Sequence, residues 1–249
     1  LGVDASDCGK GVQSLNAMNS TLSFSSQLLI ILTAALPFLL SLCHAVRRWQ
    51  TVFVKLAPWS AVPALAVSFI SPLGGHVELT WFLLEIQFGL DAVARTFLFF
   101  TALLWFLSGI YGQRYLATDL HRSRFFFFYL LAMSGNFGLI IAQDMITFYV
   151  FFALMSFSSY GLVVHYQDED ALRAGKIYII LVIFGEILLF TALVLIFRTT
   201  GSLSLKAIPS MPSNHLVILL VLVGFGIKAG ALPLHVWLPL AHPAARTPA

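Results

Sequence analysis

Long apolar runs, separated by short polar stretches, fill the chain from residue 24 onward. Seven of them approach the ~20 apolar residues that a membrane-spanning helix needs. They are 24–43, 51–71, 91–111, 125–142, 145–165, 177–197 and 215–231. The second holds Pro58 and Pro63 and is predicted to kink, which membrane helices tolerate when neighbours re-satisfy the freed backbone groups. The fourth and fifth meet at Gln143-Asp144, which predicts a tight helical hairpin. After the seventh the chain reads Ala-Leu-Pro-Leu-His-Val-Trp-Leu-Pro, ending at Pro239. Pro233 and Pro239 cannot continue a regular helix, yet the segment stays apolar through Ala241. That pattern predicts a broken helix at membrane depth. The expected fold class is all-α: a polytopic membrane bundle of about seven transmembrane helices, the seventh broken.

Composition agrees. Of 249 residues, 59% are hydrophobic and 10% charged. A soluble domain is about 45–50% apolar and about 25% charged, so an ordinary globular enzyme is excluded. Disorder is excluded too, since it needs low hydrophobicity and high charge. The formal charge is +3. The basic residues fall in short loops, where the positive-inside rule explains them without nucleic acid as a partner. With the N-terminus outside, the inside loops hold Arg47, Arg48, Lys55, Arg114, Arg122, Arg124, Arg173, Lys176 and Arg246. The outside segments hold only Lys10, Arg198 and Lys206, and the 73–90 loop carries Glu78 and Glu85 instead. The bias supports an N-out, C-in topology. Cys8 and Cys43 are too few and too far apart for a disulfide framework, a zinc site or an iron–sulfur cluster. With no phosphate loop and no dinucleotide fingerprint, no cofactor and no resident metal is expected.

The chain opens at Leu1 and its first methionine is Met18. Residues 1–20 are polar and small, and are read as sequence upstream of a start at Met18 or, alternatively, as a disordered tail, with the membrane domain covering 21–249.

A charge at the bilayer centre costs at least ~2.5–3.5 kcal/mol, so intramembrane ionisable groups are candidate functional residues. Glu186 lies ten residues after Lys176, about 15 Å along a helix and so near mid-membrane. Among Ile183, Phe184, Ile187 and Leu188 it could hold and pass on a proton; the alternative is a structural hydrogen bond to another helix. Lys228, about 20 Å beyond His215, sits in Gly224-Phe-Gly-Ile-Lys-Ala-Gly230, whose glycines admit a close neighbour. The alternative there is a lysine snorkelling to the inner interface. His235 lies beside the proline break and exchanges protons near neutral pH. Lys176, at the inner end of the sixth run, is a candidate further relay. Asp91 and Arg95, four apart, are expected to form a local ion pair. The Phe125–Tyr129 aromatic run is read as packing or lipid-facing surface, and Asp168-Glu-Asp170 as an exposed loop. His235 and His242 lack a third ligand nearby in sequence.

The stretch Lys228-Ala-Gly-Ala-Leu-Pro-Leu-His-Val-Trp-Leu-Pro239 with Ala241–Ala249 resembles a signature of the proton-conducting antiporter-like subunits of respiratory complex I. Mrp-type cation/proton antiporters and membrane-bound hydrogenases share that family. Phe88-Gly-Leu-Asp-Ala92 looks like the start of its third helix, and Phe152–Tyr160 like its fifth. The resemblance covers roughly 24–249 and implies that Lys228, on a broken seventh helix, is a central proton-transfer residue. The family pairs that lysine with a glutamate on the fifth helix. Here the position is Ala153, and Glu186 on the sixth is expected to take the role over. Two further departures are Leu240, where the family has aspartate, and Arg246, where it has proline. Family members have about fourteen helices in inverted repeats. This chain stops where the eighth would begin, so it would hold at most one inlet half-channel; a piece of a longer reading frame is favoured, with a split or degenerate subunit as the alternative.

The resemblance implies a proton-translocating module in a complex-I-like quinone oxidoreductase, with other membrane subunits as partners and protons as cargo. Any oxidoreductase label belongs to the complex. The alternatives are an Mrp-type Na+/H+ antiporter subunit, a non-conducting scaffold and an inorganic-carbon uptake subunit. A bacterial inner membrane is the expected location.

Overall fold

The computed structural model describes residues 24–79 and 86–248. The tail 1–20, Met18, Cys8, Lys10, Glu85 and Ala249 lie outside the described residues.

The elements are α1 (Phe24–Leu42), α2 (Gln50–Leu56), α3 (Val62–Ile70), β1 (His76–Leu79), β2 (Ile86–Gly89), α4 (Ala92–Tyr115), α5 (Arg122–Ile141), α6 (Met145–Val163), α7 (Glu169–Thr200), α8 (His215–Ala229) and α9 (Leu238–Ala244). Five single helices and the broken α8–α9 segment (His215–Ala244) are long and apolar enough to cross a membrane; α2 with Pro58–Ile70 makes a seventh span bent by 46°. The chain is a polytopic integral membrane protein, and each of the seven expected spans has its counterpart.

The bend in the second span has a clear cause. Pro58 has no N–H, so it cannot bond the Val54 carbonyl four residues back. Gln113 of α4 supplies the missing donor, its Nε2 donating to Val54 O at 2.7 Å and Lys55 O at 2.9 Å. A broken backbone inside a bilayer is thereby satisfied by protein.

The helices are apolar on both faces, as lipid requires, and what differs between faces is size. On α4, Val93, Phe97, Phe100, Leu104 and Leu107 are exposed, while Ala94, Leu98, Ala102, Gly109 and Gly112 face inward. The Phe125 run does pack: Phe125, Phe126 and Tyr129 are fully buried.

Three sequence expectations are corrected. The 73–90 segment is not plain loop. β1 and β2 pair antiparallel with Val77 opposite Phe88, both buried, and Glu78 opposite Gln87. Asp91 and Arg95 do not pair: Asp91 caps α4 by accepting from Ala94 N at 2.7 Å, and the Arg95 guanidinium donates to the Ser71 carbonyl. Both groups found backbone partners, which hold a charge more firmly than an exposed side chain does. Asp168 to Asp170 form the N-cap and first turn of α7, where acids complement the helix dipole.

Connections gather at two ends. One end holds the β-hairpin, Asp144 and Ser204, joined by Phe88–Ala142 and Asp144–Ser204 bridges. Asp144 caps α6 through Ile146 N (3.0 Å) and Thr147 N (2.8 Å), and also accepts from Gln87 N at 2.9 Å. The other end holds His44, Asp119, His165 and Arg246. There His44 Nδ1 lies 2.8 Å from Ser123 Oγ, and Asp119 meets both His165 and Arg246. Most of the core lies among α1 to α5 and the hairpin. Two smaller clusters flank the middle of α7: Ala192, Ile196, Met145 and Val217 towards the Asp144 end, and Ala174, Val163 and Ala241 towards the Asp119 end.

Candidate functional site

The helix carrying Lys228 stops almost at once. Gly230 adopts φ +66°, the left-handed cap conformation that glycine takes without penalty, and Ala231 N bonds back to Gly226 O at 2.8 Å. The chain then turns through a short 3-10 segment, Leu234–Trp237, into α9. Trp237 Nε1 returns to donate to Ile227 O at 2.7 Å, covering one of the carbonyls that the ended helix leaves open. The break therefore sits where the prolines predicted it. Lys228 occupies the last turn of α8, where a cation complements the helix dipole.

Lys228 does not snorkel. Its Nζ points into the bundle and donates to Ser156 Oγ at 2.9 Å and to Tyr178 OH at 3.2 Å. The rings of Phe152 and Tyr178 flank it at 5.7 and 5.6 Å from their centroids. Tyr178 is held in turn by donating to Ser156 O at 3.1 Å and by an edge-on contact with Trp237, centroids 5.2 Å apart.

Glu186 lies across the same space, 4% exposed, with Oε1 unpartnered. Its carboxylate feels both Ser156 and Lys228. Phe152, Ser156, Glu186, Gly224, Ile227 and Lys228 surround a cavity of about 10 Å³. That is close to the smallest volume of this kind able to hold one water. Glycines set the distance. A side chain at Gly224 would stand 3.1 Å from the Gly185 carbonyl and 2.5 Å from Leu189 Cγ, so α7 and α8 touch backbone to backbone beside Glu186.

Of the sequence candidates, the structure brings Lys228 and Glu186 together. His235 is half-buried in the 3-10 turn with Nδ1 unpartnered, outside the Lys228 cavities. Lys176 is exposed, two turns into α7. Ser156 and Tyr178 were not singled out from sequence, and His242, considered there only beside His235, lines the larger cavity next to Lys228. Ser156 stands one turn after Ala153 on the same helix face, and Tyr178, Val182 and Glu186 follow the i, i+4, i+8 stripe of α7. Those spacings were the available signal.

Residues 142–249 match the family described as NADH:quinone oxidoreductase/Mrp antiporter, TM. Hydrogenase-4 component B of Escherichia coli (strain K12) is 38% identical over 125 residues, 48% of this chain and 18% of that protein. NADH-quinone oxidoreductase subunit N of Polaromonas naphthalenivorans (strain CJ2) is 28% identical over 233 residues, 89% of this chain and 46% of its own length. A chain of the membrane-bound sulfane sulfur reductase, an archaeal respiratory membrane complex, shares the fold. Its TM-score is 0.71 at 22% identity, covering 91% of this chain and 49% of that one. The chain thus spans less than half the length of these relatives.

Proposed function

We propose that this chain is a proton-transfer module within a multisubunit membrane assembly of the quinone oxidoreductase or cation/proton antiporter kind. The observation that carries the reading is the inward-turned Lys228, held by Ser156 and Tyr178 and separated from buried Glu186 by a cavity the size of one water. A carboxylic acid and an amine so placed exchange a proton through the Ser156 hydroxyl or a single water. The pair then passes between both neutral and both charged, so its net charge stays zero in a medium that penalises charge. Glu186 fills the role of the carboxylate missing at Ala153. His235, at the helix break with a free ring nitrogen, is the next acceptor, and Lys176 collects protons at the surface of α7. The energy comes from partner subunits, and in an antiporter assembly the counter-ion is Na+. The charge bias supports a cytoplasmic position for the Asp119 end, and a bacterial inner membrane is the location that goes with this reading.

The test uses the assembled complex in membrane vesicles, with proton pumping followed by quenching of a pH-sensitive acridine dye. Lys228→Ala abolishes pumping and Glu186→Gln strongly lowers it on this reading. Pumping that survives Lys228→Ala sinks the reading as a whole. Pumping that survives only Glu186→Gln removes Glu186 from the path.

A further inference from the structure

Two cavities meet at one side chain at the Asp119 end. The outer, about 310 Å³, is lined by Tyr115, Asp119, His121, His165, Tyr166 and Arg246. The inner, about 700 Å³, is lined by Ser159, Tyr178, Lys228, Trp237, His242 and Arg246 among others. Among the described residues only Arg246 lines both. Its Nη2 donates to Asp119 Oδ2 at 2.7 Å, its guanidinium lies 3.6 Å over the Tyr166 ring, and its Nε is buried without a partner. The same Asp119 Oδ2 is 3.2 Å from His165 Nε2, and Asp119 Oδ1 accepts from His121 N at 2.7 Å. The His165 side chain is 2% exposed and its Nδ1 is buried with no partner. The ring packs edge-on against Phe125, centroids 5.5 Å apart, and Arg246 and His121 already satisfy Asp119, so the feature that neither packing nor a staple uses is the unpartnered Nδ1.

We propose that Asp119, His165 and Arg246 form a proton-operated gate on the path to Lys228, an inference that rests on the proton-transfer reading above. His165, which lines the outer cavity, takes a proton at Nδ1 when opening of that cavity's wall brings water to this buried atom, and the proton on Nε2 passes to Asp119 Oδ2. The imidazole is left neutral, now protonated on Nδ1. Asp119, now a neutral acid, loses its charge pairing with Arg246. The guanidinium, retained only by stacking, leaves the shared wall. Asp119 then gives its proton to water in the inner cavity, where the Lys228 amine takes it. The charged groups facing His165 are Asp119 from the α4–α5 loop, Arg124 of α5, which donates to the His165 carbonyl, and Arg246 beyond α9. Burial holds His165 below its ordinary value against the pull of Asp119, with Arg124 and Arg246 adding to the lowering, so the ring hands its proton on and stays neutral at rest.

The test reads access, not transport. Ser159→Cys, in a chain with Cys8→Ser and Cys43→Ser, places a thiol in the inner cavity. A membrane-impermeant thiosulfonate is applied from the Asp119 side of vesicles holding the full chain in its assembly. Rates are normalised to Leu120→Cys, an exposed position at the same end. Asp119→Asn and Arg246→Gln each speed labelling about tenfold at neutral pH, as expected when one closing ion pair is lost. In the unmodified gate labelling rises as pH falls through the histidine range, and His165→Gln removes that rise. Equal rates in the starting chain and both gate variants overturn the proposal and leave a static staple. Should Asp119→Asn fail to fold, Arg246→Gln decides alone. Ungated labelling with pumping still dependent on Lys228 discards the gate only. Gated labelling with pumping indifferent to Lys228 discards the transfer reading, and this inference with it.

Discussion

Ser156 is the most informative single position, because its hydroxyl stands between the ammonium and the carboxylate. The residue is fully buried, and its Oγ accepts from Lys228 Nζ at 2.9 Å while donating to Phe152 O at 2.8 Å. The second bond is local to α6, whose backbone ladder is complete without it, so losing it does little to the fold. The first is a hydrogen bond to a charged group, worth ~1.5–3 kcal/mol net. Two substitutions separate its chemistry from its volume. Ser156→Ala removes the hydroxyl and enlarges the ~10 Å³ cavity, so a water can stand where the oxygen was and restore part of the relay. About 1.4 kcal/mol lost in the transfer barrier lowers proton flux about tenfold. Ser156→Val fills the space with methyl groups and keeps water out, so nearly the full ~3 kcal/mol is lost and flux falls about a hundredfold. The assay is dye-quench pumping in vesicles holding the assembled complex, with thermal unfolding in detergent as the stability control. Flux equal to the starting chain in both variants, or a smaller loss in Val than in Ala, refutes the relay through Ser156.

Three further outcomes follow from the geometry. Gly224→Val drives methyl groups into Leu189 and the Gly185 carbonyl, so overpacking costs about 1–3 kcal/mol in thermal unfolding, and pumping falls as α7 and α8 separate. Asp144→Ala loses the α6 cap and strands Gln87 N in a part-buried setting, for a loss of about 2–4 kcal/mol that Asp144→Asn largely avoids. His165 has a folded pKa below its ordinary 6.5 because of burial, so the unfolded chain binds more protons there. Its contribution to stability is full above 6.5 and is lost as pH falls through the lowered value; His165→Gln flattens that part of a melting-temperature profile.

The spans were readable because bilayer thickness imposes a length that composition cannot disguise, and the break after Lys228 was readable because Pro233 lacks the donor a helix needs. The hairpin was not. Its strands are four residues each, and what holds them is Phe88 against Ala142 and Gln87 N against Asp144, more than 50 residues away in the chain. The Asp91–Arg95 expectation failed because the i, i+4 rule counts side-chain pairs and ignores competing backbone groups. Asp91 found the free Ala94 N–H at a helix start, and Arg95 found the Ser71 carbonyl. Lys228 and Glu186 stood out because an intramembrane charge is expensive. Ser156 did not, because a serine that bonds its own helix backbone is unremarkable in an apolar run, and only the packing of α6 against α7 and α8 gives it a second role.

The arrangement explains how two costly groups are tolerated at mid-membrane. Glu186 follows Gly185 directly, and Lys228 comes one turn after Gly224, so the single backbone contact between those glycines fixes both side chains relative to each other. Apolar clusters above and below, around Ala192 and around Ala174, keep α7 from sliding. At about 1.5 Å per residue, Glu186 lies about 18 Å from Ala174 and about 15 Å from Ile196, near the middle of the stretch they pin. A lysine and a glutamate in direct contact would settle as a permanent ion pair; among the described residues the ion pairs lie at Asp119 instead. Holding Lys228 on Ser156 and Tyr178, with Glu186 lining the same ~10 Å³ cavity, keeps the pair coupled without locking it. On the proton-transfer reading proposed above, that arrangement is what a relay requires and a structural salt bridge does not.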